Sequence, residues 1–415
     1  MTGTEAGGAT ATNVRLHPLS VRAEGDEWIV GRVETGTFVA LPEVGARAIE
    51  LLRQGHDVPG AAATLAEEHG EPVDVAGFVR SLAKLGFVAE LDGEAVAGKT
   101  VPPSTFPRVR QRHVRWMLSP VLGAAVVAAV AFAALFALFG PGRPPAPADV
   151  VWSERGSLVL LSQVAVYWPV IFLHELGHLF TARAAGMPGR MTFGTRLQFL
   201  AAQTNVSGVW AAPRRVRLVV YLSGMAVNAV LAAAGSVIFQ ATGPGFWHNL
   251  GAVVFITQIV LIAGQFMFFM RTDVYFVVQD VARCHNLYGD AAAYARHLAS
   301  RLFPRRAAPD PTAGLPARQR RAVRLYAAFL VPGTVVCLGF FLAVTVPITV
   351  ALLSQAVAAL MAADSVLAVL DPVAVIAVIG TVQLLWLRTW WRRHGRRVRT
   401  VLRTMLTTLG APSSN

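Results

Sequence analysis

Residues 158–181 read LVLLSQVAVYWPVIFLHELGHLFT, and only one of these 24 residues, Glu175, carries a full charge. As an α-helix the stretch rises about 36 Å, enough to cross the roughly 30 Å hydrocarbon core of a bilayer. It reads as a membrane-spanning helix. Polar groups are costly to insert in such a helix. His174, Glu175 and His178, crowded toward its end, therefore mark a candidate site.

Five further apolar runs lie at about 117–140, 217–240, 250–270, 324–352 and 371–391. The whole chain agrees with them: 54% of residues are hydrophobic, 15% are charged, and mean hydropathy is +0.51. Those values exclude a disordered chain and a soluble cytosolic enzyme. Two cysteines, Cys284 and Cys337, exclude a disulfide scaffold. The expected fold class is a polytopic α-helical membrane protein with about six transmembrane helices.

Net charge +13 and a pI near 10.9 would suit a nucleic-acid binder, but the positive charge lies beside the apolar runs. Arg108, Arg110, Arg112 and Arg115 precede the first run, and Arg183, Arg190, Arg196, Arg214, Arg215 and Arg217 follow the second. Ten Arg lie between Arg271 and Arg324, and the tail from Arg388 holds seven. The alternate loops are poor in positive charge, with Arg143 and Arg155 in one and none in 241–249 or 353–370. The positive-inside rule then places both termini in the cytoplasm. Lys is scarce and Arg abundant, which reads as a high-GC bacterial coding bias and a bacterial cytoplasmic (inner) membrane. Asp371-Pro372 opens the last run, and an N-cap followed by Pro at the first helical position accounts for that pair.

The first hundred residues differ in kind, with eight Lys/Arg against fifteen Asp/Glu, a net charge of −7. Alternation at Leu19–Ala23, Trp28–Val33 and Thr37–Leu41 predicts three strands, and helical periodicity predicts Glu43–Gln54, Val58–His69 and Val73–Leu85. Gly86–Ala89 returns to an extended segment. Residues 14–92 are thus expected to form a small, winged-helix-like cytoplasmic α+β domain. Its acidity is the wrong sign for phosphate, so no nucleic-acid partner is expected. The remaining divisions are a linker and basic juxtamembrane segment (93–116), a membrane core (117–285), a cytoplasmic loop (286–323), C-terminal helices (324–391) and a basic tail (392–415).

Histidines four apart share one helical face, so His174 and His178 can bind one metal ion. Glu175 stands beside the first of them, placed to take a proton from metal-bound water. Two imidazoles and a carboxylate suit Zn2+, with a fourth position left for water. The third ligand must come from another span at the same depth. Asp273, just past the fourth run, meets that condition; a salt bridge with Arg271 is the structural alternative, and Asp280 and His285 lie further along.

His174-Glu175-Leu176-Gly177-His178 with Asp273-Val274-Tyr275-Phe276 resembles the site-2 protease family of intramembrane zinc metalloproteases, over about residues 158–285. The later stretch looks like the Asp-Gly-Tyr-Tyr variant of peptide-maturation relatives, with Val274 where Gly is usual. Ser223-Gly224-Met225-Ala226-Val227-Asn228 is similar to the family's Gly-Pro-x-x-Asn helix. The resemblance implies that Asn228 faces the active site and helps hold substrate; an interhelical hydrogen bond would explain an Asn there equally well. It also implies that residues 190–212 form strands that present extended substrate.

The N-terminal domain resembles the PqqD-like peptide-binding domains, through Ala40-Leu41-Pro42-Glu43, Leu51-Leu52-Arg53-Gln54-Gly55, the helix around Ala63-Thr64-Leu65, and Phe78–Val88. In that family a leader peptide adds a strand to the small sheet. Together the two resemblances imply a membrane-embedded zinc endopeptidase acting on a precursor peptide near the cytoplasmic face. The alternatives are regulated intramembrane proteolysis of a signalling protein, and a non-catalytic metal-binding membrane scaffold or exporter partner.

Overall fold

The computed structural model describes residues 12–409 apart from 26, 98–99, 102, 197–198 and 302–308. Part of the expected 286–323 loop and the end of the basic tail lie outside the described residues. The chain divides into two units. The first takes in Met1–Leu118, Leu179–Arg190 and Asn205–Val220, and the second the remainder.

In the first unit β1 (Val14–Leu16) precedes the antiparallel sheet β2 (Ser20–Glu24), β3 (Glu27–Arg32) and β4 (Thr37–Leu41). Helices α1 (Glu43–Arg53), α2 (Val58–His69) and α3 (Val75–Leu85) follow. Then β5 (Val88–Leu91) returns to pair with β1 and with β6 (Glu94–Ala95). Local chemistry sets the helix ends. Asp57 and Asp74 accept from the backbone N–H groups of Gly60 and Gly77 at 2.8 and 2.7 Å, satisfying first-turn donors. Gly70 and Gly86 end α2 and α3 at φ 75° and 79°, where a side chain would be strained. One face of the sheet supplies Val21, Trp28, Val30, Val39 and Leu41 to a core with Ile49, Leu82 and Phe87. The pairing of β1 with β5 is long-range, and the three residues of β1 are too few to show alternation in the sequence.

The opposite face of the sheet is covered as well. A 3-10 turn, Ser207–Ala211, packs against β2, β3 and β4, and Ile29 on that face is buried. Gly208 lies so close that a Cβ there would sit 3.3 Å from the Val33 carbonyl oxygen. Arg217 closes the contact: its Nη1 donates to Oε2 of Glu24 at 2.9 Å and its Nη2 to Oε1. The guanidinium also stacks 5.0 Å over Trp210 and is fully buried. The segment after β6, expected to be a linker, is tied down too. Arg183 donates to the carbonyls of Thr105, Phe106 and Val109 at 3.0, 3.1 and 2.7 Å, and Gln111 donates to that of Ala184 at 2.9 Å.

Among the described residues, six helical stretches are long and apolar enough to cross a membrane. They are α4 (Pro120–Phe139), α5 (Gly156–Ala184), α6 (Arg214–Ala241), α7 (Phe246–Gln265), the run Ala317–Met361 and the first part of α12 (Val366–Leu409). A two-stranded sheet, β7 (Arg190–Arg196) with β8 (Phe199–Asn205), lies between α5 and α6 in sequence. After α7 the chain breaks into a 3-10 turn, Phe268–Met270, before α8 (Asp273–Ala282) and α9 (Leu287–Ser300). In the long run α10 (Ala317–Phe340) and α11 (Val346–Met361) are separated by a π-turn, Phe341–Thr345. Pro347, lacking an N–H, removes one bond from the helical ladder there.

Asp371 does not cap its own helix. The last helix starts earlier, at Val366, and its cap is Ser365, whose hydroxyl accepts from the Ala368 N–H at 3.3 Å. Asp371 instead caps α5: its Oδ1 accepts from the Ser157 N–H at 3.0 Å and from the Ser157 hydroxyl. A carboxylate there opposes the positive end of the helix dipole.

Candidate metal centre

The His-Glu-Leu-Gly-His stretch lies in the last third of α5, helical throughout, so His174 and His178 emerge one turn apart on one face. Their Nε2 atoms are 3.2 Å apart, and each lies 3.1 Å from Oδ2 of Asp273. Three lone-pair donors facing one another at these distances have the spacing of metal ligands. Ligand atoms about 2.05 Å from a tetrahedral ion are themselves about 3.3 Å apart. Among the described residues this is the one group of His, Cys, Asp and Glu side chains close enough to hold an ion. Asp280, buried further along α8, and His285 are not part of it.

A glycine makes room for the triangle. A Cβ at Gly224 on α6 would come within 2.6 Å of Nε2 of both histidines. Gly177, between them in sequence, packs on the same helix: a Cβ there would lie 3.1 Å from the Ser223 carbonyl oxygen and from Val227. Two glycines thus let α5 and α6 approach at the level of the ligands. Ser223 Oγ lies 3.4 Å from Nδ1 of His178, where it can orient a ring whose Nε2 faces His174 and Asp273.

Asp273 is the first residue of α8, and two contacts hold it there. Its N–H donates to Oε1 of Gln265 at 3.0 Å, and the Thr272 hydroxyl donates to the Gln265 carbonyl. The next residues anchor the helix. Phe276 stacks on Tyr221 with ring centroids 5.6 Å apart, and buried Tyr275 packs against Tyr326. Burial alone would raise the Asp273 carboxyl, but the adjacent imidazoles, His178 foremost, outweigh it and hold the group well below the usual carboxylate range. An ionised carboxylate beside two imidazoles is a donor set that fits a divalent cation.

Glu175 is buried, and its carboxylate is held from outside the helix. The Thr204 hydroxyl, on β8, lies 2.6 Å from Oε2 of Glu175 and 3.2 Å from the Glu175 carbonyl oxygen. Asn228 lies on α6 one turn beyond Gly224, 1% exposed, with both amide heteroatoms unpartnered among the described residues. The interhelical hydrogen bond that would have explained it is not made.

The structure thus brings His174, His178 and Asp273 together, seats Glu175 in the same helix turn, and puts Asn228 one turn from the cradle. Sequence reasoning missed Thr204, Ser223, Gln265 and the role of Gly224. None carries a local signal, because each acts across a gap of at least seven residues; only the Gly-x-x-x-Asn spacing of Gly224 and Asn228 hinted at a shared face. The chain matches no protein-family model, no curated protein and no solved structure.

Proposed function

We propose that this chain is a membrane-embedded zinc endopeptidase of the site-2 protease kind, in a bacterial cytoplasmic membrane with both termini in the cytoplasm. The observation that carries the reading is the 3.1–3.2 Å triangle of His174, His178 and Asp273, with Glu175 on the same helix turn. His174, His178 and Asp273 would hold the ion. Bound there, Zn2+ supplies Lewis-acid activation of water and of the scissile carbonyl. Glu175 acts as the base that takes the water proton and as the acid that delivers it to the leaving amine. A structural site needs no such carboxylate beside the ligands, which favours the enzyme over a scaffold.

The substrate we propose is a precursor peptide captured by residues 14–92. In support, a groove of about 710 Å³ lies beside β2 and α1, floored by Val21, Trp28, Ala46 and Ile49 and rimmed by Glu43, Arg53 and His69. An apolar floor with a mixed charged rim suits a peptide with apolar anchors. The test is comparative peptidomics of cells expressing the wild type or Glu175→Gln, with metal analysis of both purified proteins. One zinc per chain in both, and a peptide that accumulates uncut only with Glu175→Gln, is the expected result. Cleavage at the wild-type rate by a zinc-loaded Glu175→Gln protein would overturn the assignment.

A further inference from the structure

We infer that Gln258 on α7 joins Asn228 on α6, whose substrate-holding role the resemblance already implies, to form a paired-amide receptor for the backbone of an unwound peptide, a role that rests on the endopeptidase reading above. The register of the two helices places them together. At their crossing the backbones touch: a Cβ at Gly235 would lie 2.9 Å from the Gly251 carbonyl oxygen, and one at Gly251 would lie 2.7 Å from the Phe239 nitrogen. Asn228 precedes Gly235 by seven residues, and Gln258 follows Gly251 by seven. Seven residues are about two turns, roughly 10 Å, so in this antiparallel pair both amides fall on the contact stripe at the same level.

That level lies toward the metal centre on both helices. Asn228 is one turn from Gly224, which abuts the two Nε2 atoms, and Gln258 is two turns before Gln265, which holds the Asp273 N–H. Asn228 is 1% and Gln258 0% exposed, and among the described residues none of their four amide heteroatoms has a hydrogen-bond partner. A buried, unpaired carboxamide is destabilising, and leucine would pack there without that penalty. Two of them at one level of one helix seam need a purpose.

Their chemistry names the ligand class. Each carboxamide offers N–H donors and a C=O acceptor, the complement of a backbone C=O and N–H. A helical substrate must lose its own hydrogen bonds around the scissile peptide, and at membrane depth the freed groups need protein partners. Carboxamides satisfy them without adding a charge that would compete with Asp273 for the ion. Both side chains are sealed in the arrangement seen, so engagement parts the α6–α7 seam, with the Gly235–Gly251 crossing as its fulcrum.

The test uses the full-length zinc-loaded protein in detergent and two probes. Acetohydroxamate carries a metal-binding head alone; a tripeptidyl hydroxamate carries the same head and a peptide backbone. The wild type should bind the tripeptidyl probe more tightly than acetohydroxamate. Gln258→Leu and Asn228→Leu should each weaken the tripeptidyl probe by about tenfold, leave acetohydroxamate unchanged, and melt no lower than the wild type. Gln258→Met, which keeps side-chain length, should behave as Gln258→Leu. Unchanged tripeptidyl affinity in the variants overturns the receptor, as does a lower melting temperature with both probes weakened together, which marks the amides as structural. A wild type that binds acetohydroxamate but gains nothing from the backbone also overturns it while sparing the metal site. A zinc-loaded wild type that binds neither probe overturns the endopeptidase reading itself.

Discussion

The hydroxyl of Thr204 lies 2.6 Å from Oε2 of Glu175, a contact between a strand and the His-Glu helix across 29 residues of sequence. The Glu175 carboxylate is thereby held through Oε2 by a hydroxyl from β8. The same strand belongs to the sheet expected to present substrate. Under the endopeptidase reading, the residue that holds the proposed base and the backbone proposed to receive the peptide are on one element.

Thr204→Val keeps the shape and removes the donor. Under the endopeptidase reading it should lower kcat on the precursor peptide by about tenfold or more, with zinc content unchanged, because a misplaced base loses alignment with its proton. Thr204→Ser should restore the rate. A Thr204→Val enzyme with wild-type kcat, or a Ser variant no better than Val, would count against a positioning role.

Gly224→Ala tests the cradle. The added Cβ meets both Nε2 atoms, so zinc affinity should fall by about tenfold or more, as measured by metal analysis after dialysis against a graded chelator. Asp273→Ala should lose zinc in the same assay, and Asp280→Ala should retain it. Zinc lost only with Asp280→Ala would place the third ligand elsewhere.

Glu24→Ala leaves the fully buried Arg217 guanidinium without its carboxylate. The cost of breaking such a pair is about 3 kcal/mol, read as a lower melting temperature of the detergent-solubilised protein. Glu24→Leu combined with Arg217→Met should recover most of the loss, since the pair then leaves no unpaired charge. An additive loss in the double variant would contradict this account.

Asp371→Ala removes the cap from the first turn of α5. It should destabilise the protein by about 1 kcal/mol, with zinc affinity unaltered because the histidines lie more than four turns along the helix. Asp371→Asn, which retains an acceptor, should lose less.

Much of the architecture is a matter of local pattern. Alternation and 3.6-residue periodicity located β2–β4 and α1–α3 to within a few residues, because Asp57, Asp74, Gly70 and Gly86 act on their own helix ends. The six long apolar helices found among the described residues follow from hydropathy for a similar reason: a long apolar segment at membrane depth must satisfy its backbone hydrogen bonds within itself. The capping of Asp371 went the other way. Asp-Pro is a sound local start signal, yet Ser365 starts the helix, and the carboxylate serves α5 from 214 residues away.

The candidate site divides along the same line. That His174 and His178 share a face and have Glu175 beside them is a property of helix geometry, and the sequence by itself determined it. Asp273 was legible only as a residue of the right type near the right depth; its 3.1 Å approach depends on the break after Gln265 and on Tyr221 and Tyr326 receiving α8. The approach of Gly224 to both imidazoles, the Thr204–Glu175 contact and the burial of Gln258 were decided by tertiary structure alone. Their roles are relations between elements distant in the chain, and a residue's own neighbours in sequence carry no information about which distant backbone will come within 3 Å of it.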